Sequence, residues 1–159
     1  MSEKSGVAQR SIRTAVGVLR ITADDEGVIA IDRVTKHSTR AGSAKAGRHA
    51  DQAVRELREY FSGKRRSFSV ALHLEGTAFQ QRAWAAMRKI PYGATISYAT
   101  QAKKIGQPRA TRAVGTANGA NPIPIIVPCH RVIASDGSLG GYALGLAMKQ
   151  RLLALEGAN

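Results

Sequence analysis

The hydrophobic positions along this chain change period several times, and each change marks an element. Val16-Gly-Val-Leu-Arg-Ile-Thr-Ala23 and Val28-Ile-Ala-Ile-Asp-Arg-Val34 are rich in β-branched residues and predict two strands. Asp24-Asp-Glu-Gly27 between them has the composition of a hairpin loop. His37 to Arg48 is rich in Ser, Gly, Ala, Lys and Arg, which predicts a mobile basic loop. Ala53, Val54, Leu57, Tyr60 and Phe61 then recur at helical spacing, with Gly63 placed as a C-cap. Ser67-Phe-Ser-Val-Ala-Leu-His-Leu74 carries apolar residues at every second place, the pattern of a half-buried strand. Residues 1–76 thus read as a small α/β unit.

From residue 77 the pattern becomes helical. Thr77 followed by Gln80 has the form of a capping box. Phe79, Ala83, Trp84, Met87 and Ile90 give a buried stripe that Pro91 and Gly93 terminate. A second helix is predicted from Ser97 to Lys104 or Ile105, and a third from Arg109 to Asn118, with Pro108 suited to its first turn. Two short helices joined by Gly106-Gln-Pro108 have the outline of a helix-turn-helix. A last helix is expected over residues 145–156, held by Leu146, Leu152, Leu153 and Leu155.

Composition narrows the class. The 159 residues suffice for one compact domain or two small ones, and 43% hydrophobic residues suffice for a core. The net charge is +13, which favours a polyanionic partner. Residues 1–76 hold 14 basic and 9 acidic side chains, whereas residues 77–159 hold 10 basic and only 2 acidic, Asp136 and Glu156. The carboxylate-poor half is therefore the one expected to face a polyanion. A single cysteine excludes an intramolecular disulfide and a multi-thiolate zinc site. His37, His49 and His73 lack metal-like spacing and read as surface or strand residues. The longest uncharged run is broken by Gly, Asn and Pro, and residues 1–6 lack an apolar run; neither a membrane span nor a signal peptide is expected. The expected location is cytoplasmic, nucleoid-associated in a bacterial host.

The most informative stretch is Pro122-Ile-Pro-Ile-Ile-Val-Pro-Cys-His-Arg-Val-Ile133. A lone cysteine is commonly an inert small hydrophobe, and Ile125, Ile126 and Val127 suit that reading. Against it stand the adjacent His130 and Arg131: nearby cations lower a thiol pKa, and a histidine can remove its proton while a carboxylate orients the ring. Residues 77–159 offer only Glu156 and Asp136 for that third place.

Pro128-Cys-His-Arg-Val132, preceded by Asn118-Gly-Ala-Asn-Pro122, resembles the active-site signature of the O6-alkylguanine-DNA alkyltransferases. The likeness includes Ile90-Pro-Tyr-Gly93, Ser97-Tyr98, Arg112-Ala-Val-Gly115 and the segment Gly137 to Tyr142. Residues 1–76 resemble that family only in size and texture. The resemblance implies an α+β, two-part architecture: a ribonuclease-H-like N-terminal domain over 1–76 in a supporting role, and a winged-helix-like domain over 77–159 that binds DNA and transfers alkyl groups. It implies one irreversible turnover, from O6-alkylguanine or O4-alkylthymine in double-stranded DNA to Cys129, with no cofactor and no metal. His130 is the implied base, Glu156 the carboxylate that holds it, and Tyr98 the hydroxyl that protonates the leaving guanine. Arg112 is the implied residue that replaces the flipped nucleotide. Arg109, Ala110, Ala113, Gly115 and Thr116 are the implied DNA-facing neighbours. Asn121 is the implied hinge, and Val132, Ser135, Tyr142, Ala143 and Leu144 the implied pocket, with Leu144 narrowing it. The implied protein is a monomer that can bind DNA cooperatively.

Two other classes fit parts of the pattern. A module that recognises damaged DNA without reacting would share the helix-turn-helix, but it would not need Cys129. A cysteine hydrolase would share Cys, His and carboxylate, but it leaves the helix-turn-helix unexplained. Read singly, His130 also fits a satisfied core histidine, Tyr98 a packing aromatic and Arg112 a solvated surface arginine.

Overall fold

The computed structural model describes residues 6–158. The absence of a signal peptide was read from residues 1–6, of which 1–5 lie outside the described residues. The chain divides into two compact units, Met1–Leu74 and Glu75–Asn159.

The N-terminal unit is a three-stranded antiparallel sheet with one helix. Its strands are β1 (Ala8–Thr14), β2 (Gly17–Ala23) and β3 (Val28–Val34), in that order. Ile12 pairs with Leu19 and Ile21 with Ile31, and the central strand is buried over most of its length. The turn between β2 and β3 is the expected hairpin loop, closed by Asp24 Oδ1, which accepts from the amides of Glu26 and Gly27 at 2.9 and 3.1 Å. β1 carries no strand signal in the sequence, because only Ala8 and Ile12 in it are buried and the rest is polar.

Helix α1 (Ala44–Phe61) corrects the expected loop over 37–48. Its first turns are built from Ala46, Gly47 and Ala50, small residues that composition alone assigns to a loop, yet all are buried here. Ser43 is the N-cap: its Oγ accepts from the Ala46 amide at 3.1 Å and donates to Asp25. Residues 67–74 also depart from expectation. They form a single bridge, Val28 to Leu72, rather than a strand. The segment is held instead by buried Glu56, whose carboxylate accepts from the amides of Ser69 and Val70 and from the Ser69 hydroxyl. His73 adds a second tie, with Nδ1 2.6 Å from Asp24 and Nε2 3.0 Å from Glu26.

The C-terminal unit holds α2 (Ala78–Arg88), α3 (Tyr98–Lys104), α4 (Thr111–Gly119) and α5 (Leu146–Leu155). The capping box is formed in full: Gln80 N donates to Thr77 Oγ1 at 3.1 Å and Thr77 N to Gln80 Oε1 at 2.9 Å. α3 is capped by Ser97. α4 begins later than its sequence pattern suggests. The Ala110 amide bonds to the Gln107 carbonyl, closing a turn with Pro108 at its second place, so Arg109 and Ala110 precede the helix.

Buried amides fix the three helices to one another. Gln101 and Asn118 exchange hydrogen bonds of 3.0 and 2.8 Å, Gln101 also donates to the Ala83 carbonyl, and Trp84 Nε1 donates to the Ala117 carbonyl at 2.9 Å. A polar pair satisfied only in one register sets the rotation of α4 about its axis. That rotation buries Val114 and Ala117 and leaves Arg112, Ala113 and Thr116 exposed.

After α4 the chain passes through Ile125, whose φ of 76° is left-handed, an uncommon state for a β-branched residue that full burial here sustains. A 3₁₀ turn, Cys129–Arg131, follows. Strand β5 (Val132–Ile133) then pairs parallel with β4 (Ile96–Ser97). In α5 the packing face is Met148, Lys149, Leu152 and Leu153; Leu146, expected to help hold the helix, is 48% exposed at its start.

Candidate active site

Cys129 opens onto a cleft of about 450 Å³ in the C-terminal unit. One wall is α4 with Thr111, Arg112, Gly115, Thr116 and Asn118; the other is the loop Gly141-Tyr-Ala143, and Tyr98 completes the rim. The size is within the range of small-molecule sites, and the nucleophile candidate shares it with the exposed face of a helix-turn-helix.

The sulfur is held from below. Asn121 Nδ2 donates to Cys129 Sγ at 3.3 Å and to the Val127 carbonyl at 2.8 Å, while its Oδ1 accepts from the Ile123 amide. The expectation that adjacent cations lower the thiol pKa is overturned. Enclosure by protein pushes the Cys129 thiol up; hydrogen bonds from Asn121 and Tyr142 and the charge of Lys149 only partly oppose this. Adjacency in sequence misleads here because Arg131 turns away from the sulfur. Its Nε and Nη2 clasp Glu156 at 2.8 and 3.0 Å, and its Nη1 donates to the Ile90 carbonyl at 2.7 Å.

His130 is fully buried, with Nε2 2.7 Å from Glu156 Oε2. Burial is the main cause holding its pKa below the usual histidine value; Glu156 opposes, and Arg131 and Lys149 reinforce. In the neutral ring Nε2 carries the proton toward Glu156, which leaves Nδ1 as the basic nitrogen. Nδ1 is buried and has no hydrogen-bond partner among the described residues.

Tyr98 packs at the rim with its hydroxyl 3.4 Å from the Gly141 carbonyl. Burial, and then the charge of Cys129, raise its pKa, while the Gly141 contact lowers it; the hydroxyl remains a proton donor at neutral pH. Gly140 lies directly on this ring: a Cβ there would stand 2.9 Å from Tyr98 Cε2, and its φ is +70°.

Two family descriptions match this chain. Residues 78–158 match the DNA binding domain of 6-O-methylguanine DNA methyltransferase, and residues 7–74 match its ribonuclease-like domain. The chain belongs to the 6-O-methylguanine DNA methyltransferase family. The second match extends the likeness to the N-terminal unit, where sequence reading found only a similar texture. Among its relatives is the methylated-DNA–protein-cysteine methyltransferase of Mycolicibacterium paratuberculosis, 44% identical over 152 residues, covering 94% of this chain and 92% of that one. The protein of that name in Methanosarcina acetivorans is 56% identical over 107 residues, 67% of this chain and 69% of that one. The crystal structure of Mycobacterium tuberculosis OGT in complex with DNA superposes with a TM-score of 0.83 at 44% identity, covering 94% of this chain and 92% of that one.

Within this family member, the structure brings Cys129, Tyr98, Arg112, Gly115, Thr116, Tyr142 and Ala143 to one cleft. It does not bring Val132, Ser135 or Leu144 there. Val132 is buried in β5 with its carbonyl taken by Lys149, Ser135 is exposed, and Leu144 is half-buried outside the cleft lining. Arg109, Ala110 and Ala113 are also outside the cleft lining. Lys149 is the residue that sequence reading missed. It is wholly buried, and its Nζ donates to the carbonyls of Val132, Leu139 and Gly141 at 2.7, 2.5 and 3.0 Å. Burial lowers its pKa to about 8, opposed by the charge of Cys129. The signal was present: Lys149, Leu152, Leu153 and Glu156 share one helical face, and a lysine on an apolar stripe needs acceptors. Among the described residues, no helix is long and apolar enough to cross a membrane.

Proposed function

We propose that this chain repairs O6-alkylguanine, and by the same chemistry O4-alkylthymine, in double-stranded DNA by moving the alkyl group to Cys129 in a single turnover. The observation that carries the reading is the shared cleft: the one cysteine of the chain opens between the exposed face of α4 and the Gly141–Ala143 loop. A nucleophile recessed this far reaches an alkylated base only if the nucleotide leaves the stack. The DNA complex of the M. tuberculosis relative supports the partner.

In this reading the small residues of α4, exposed Ala113 and half-buried Gly115, let the helix approach the minor groove, whose width of about 6 Å is restrictive. Arg109, Ala110 and Thr116 flank that contact. Arg112, on the cleft wall, enters the stack where the nucleotide departs and offsets part of an unstacking cost of a few kcal/mol. His130 Nδ1 takes the thiol proton, directly or through a water, while Glu156 holds the ring. The sulfur lone pair forms the S–C bond as the C–O bond breaks, and the electron pair of that bond stays with the purine. Tyr98 gives its proton to the base, so a neutral guanine leaves, and the proton held by His130 restores the tyrosine. A soft thiolate suits displacement at saturated carbon without a cofactor. The thioether product has no easy return to thiol, which limits the protein to one turnover. Residues 1–76 act in support, residues 77–159 carry the reaction, and the protein works as a cytoplasmic or nucleoid-associated monomer that can load cooperatively on DNA.

The test is an intact-mass spectrum after mixing with excess duplex oligonucleotide bearing one O6-methylguanine. The expected result is a gain of one methylene, mapped to Cys129 and absent in Cys129→Ala. An unchanged mass with the oligonucleotide still bound would instead identify a damage-recognition module.

A further inference from the structure

The carboxylate that orients His130 is not a free negative charge. Glu156 Oε1 accepts from Arg131 Nε at 2.8 Å, and Oε2 accepts from Arg131 Nη2 at 3.0 Å as well as facing His130 Nε2 at 2.7 Å. The guanidinium therefore grips both oxygens in a fork, which lysine cannot reproduce. Its remaining hydrogen bond, to the Ile90 carbonyl, anchors the fork to the chain between α2 and β4. The Tyr92 ring lies 5.8 Å from the guanidinium carbon. Arg131, Glu156 and His130 are all buried.

Charge accounting in this enclosed cluster has a definite outcome. Glu156 and Arg131 cancel, so a proton on His130 would leave an unpaired positive charge in the interior. The other charged group facing His130 is Lys149, from the same face of α5, and it adds to the repulsion. Cys129, next in the chain, is a thiol at neutral pH, since its pKa is raised, and offers no compensating charge. Without Arg131 the balance would reverse. Glu156 would be a buried carboxylate whose nearest possible counter-ion is the imidazolium of His130.

Resting on the proposed alkyl-transfer reading, we infer that Arg131 is a positioning residue of the reaction: by neutralising Glu156 it keeps His130 an uncharged base, so that the thiol proton has an acceptor when the alkylated base arrives. Glu156 alone would orient the ring and also fill the site that must receive the proton. Arg131 separates those two effects. The free protein accordingly rests as thiol and imidazole, not as a preformed ion pair.

The experiment compares Arg131→Met, Arg131→Lys and the double substitution Arg131→Met with Glu156→Gln. Two readouts are followed: the NMR titration of the His130 ring in free protein, and the pH dependence of the single-turnover transfer rate. In Arg131→Met the His130 titration should rise by about one pH unit or more, and transfer at pH 7 should fall about tenfold or more and recover toward pH 9. Arg131→Lys should recover most of the titration, because it keeps the charge. The double substitution removes both charges and should return the titration to that of the parent, which also gives a reading should Arg131→Met fail to fold. An unchanged His130 titration in Arg131→Met, or a raised one in the double substitution, overturns the inference. So does a rate loss equal at every pH, the mark of a merely structural arginine. The titration needs no DNA, so a protein that fails to transfer alkyl groups yet shows these shifts would defeat the functional reading, and with it the role in the reaction, and leave standing only that Arg131 keeps His130 uncharged.

Discussion

One amide of Asn121 reaches both the sulfur of Cys129, at 3.3 Å, and the Val127 carbonyl, at 2.8 Å. The same side chain therefore sets where the nucleophile sits and how willing it is to ionise. Hydrogen bonds to a charged group contribute roughly 1.5–3 kcal/mol, so Asn121→Ala should slow alkylation of Cys129 at neutral pH by about ten- to a hundredfold. The pH dependence of reaction with iodoacetamide is the check: the midpoint should move upward in the variant. A midpoint that stays in place would mean that the sulfur does not use this donor.

Arg112 stands on the cleft wall rather than at its floor, beside Thr116 on the exposed face of α4. Arg112→Ala should reduce transfer from O6-methylguanine in duplex DNA by at least tenfold while changing reaction with a free benzylguanine-type base by less than about twofold; a flipping cost of a few kcal/mol applies only to the duplex. Rates with the two substrates, measured side by side, decide it. Equal losses would remove Arg112 from base extrusion.

Lys149 is expected to organise the loop on which the cleft depends. Its three donors meet three carbonyls, two of them at Leu139 and Gly141. Above its pKa of about 8 the amine loses one donor, and the loop loses a tie. Lys149→Met should speed amide hydrogen exchange across residues 134–145 at pH 7 by tenfold or more. In the parent protein, exchange corrected for its intrinsic pH dependence should rise between pH 8 and 9. A loop equally protected in both proteins would show that packing alone holds it.

Stability should fall as the solution is made acidic, in a window that belongs to His130. The folded protein holds this ring neutral, whereas an unfolded histidine takes its proton near 6.5. Below that pH the unfolded chain binds more protons, and the contribution of His130 to folding is progressively lost. Asp24, whose pKa is lowered on balance, adds its own loss only below about 3.8, so the two effects are separable. Trp84, the single tryptophan, is buried in the C-terminal unit and reports its unfolding in urea. The expected result is a lower midpoint at pH 5.5 than at 7.5, with a smaller difference in His130→Gln. An equal pH dependence in that variant would assign the effect to another group.

Elements whose signals are local were legible before the structure. Thr77 and Gln80 satisfy each other across one turn, and Asp24 closes its hairpin through its own neighbours, so the short-range chemistry is sufficient in both. The start of α1 was not legible, because Ala46, Gly47 and Ala50 become helical by packing against the sheet and not by propensity. The site divides along the same line. Cys129, His130 and Tyr98 stand in a motif, whereas Lys149 is joined to the cleft by the Gly141 carbonyl, eight residues away in a loop with no regular period. The fork of Arg131 on Glu156 spans 25 residues, and no neighbour of either reveals it.

The contact of Gly140 with Tyr98 limits how the cleft can be reshaped. A side chain at 140 would need a left-handed backbone and would press into the ring whose hydroxyl is proposed to supply the proton. Bulk added there would displace the tyrosine before it touched any alkyl group, so selection for a roomier or tighter pocket cannot act through that position without sacrificing chemistry. Ala143 lines the same cleft, is exposed, and has room to vary. A library aimed at larger adducts, or at fluorescent labels that the protein would attach to itself, belongs at 143.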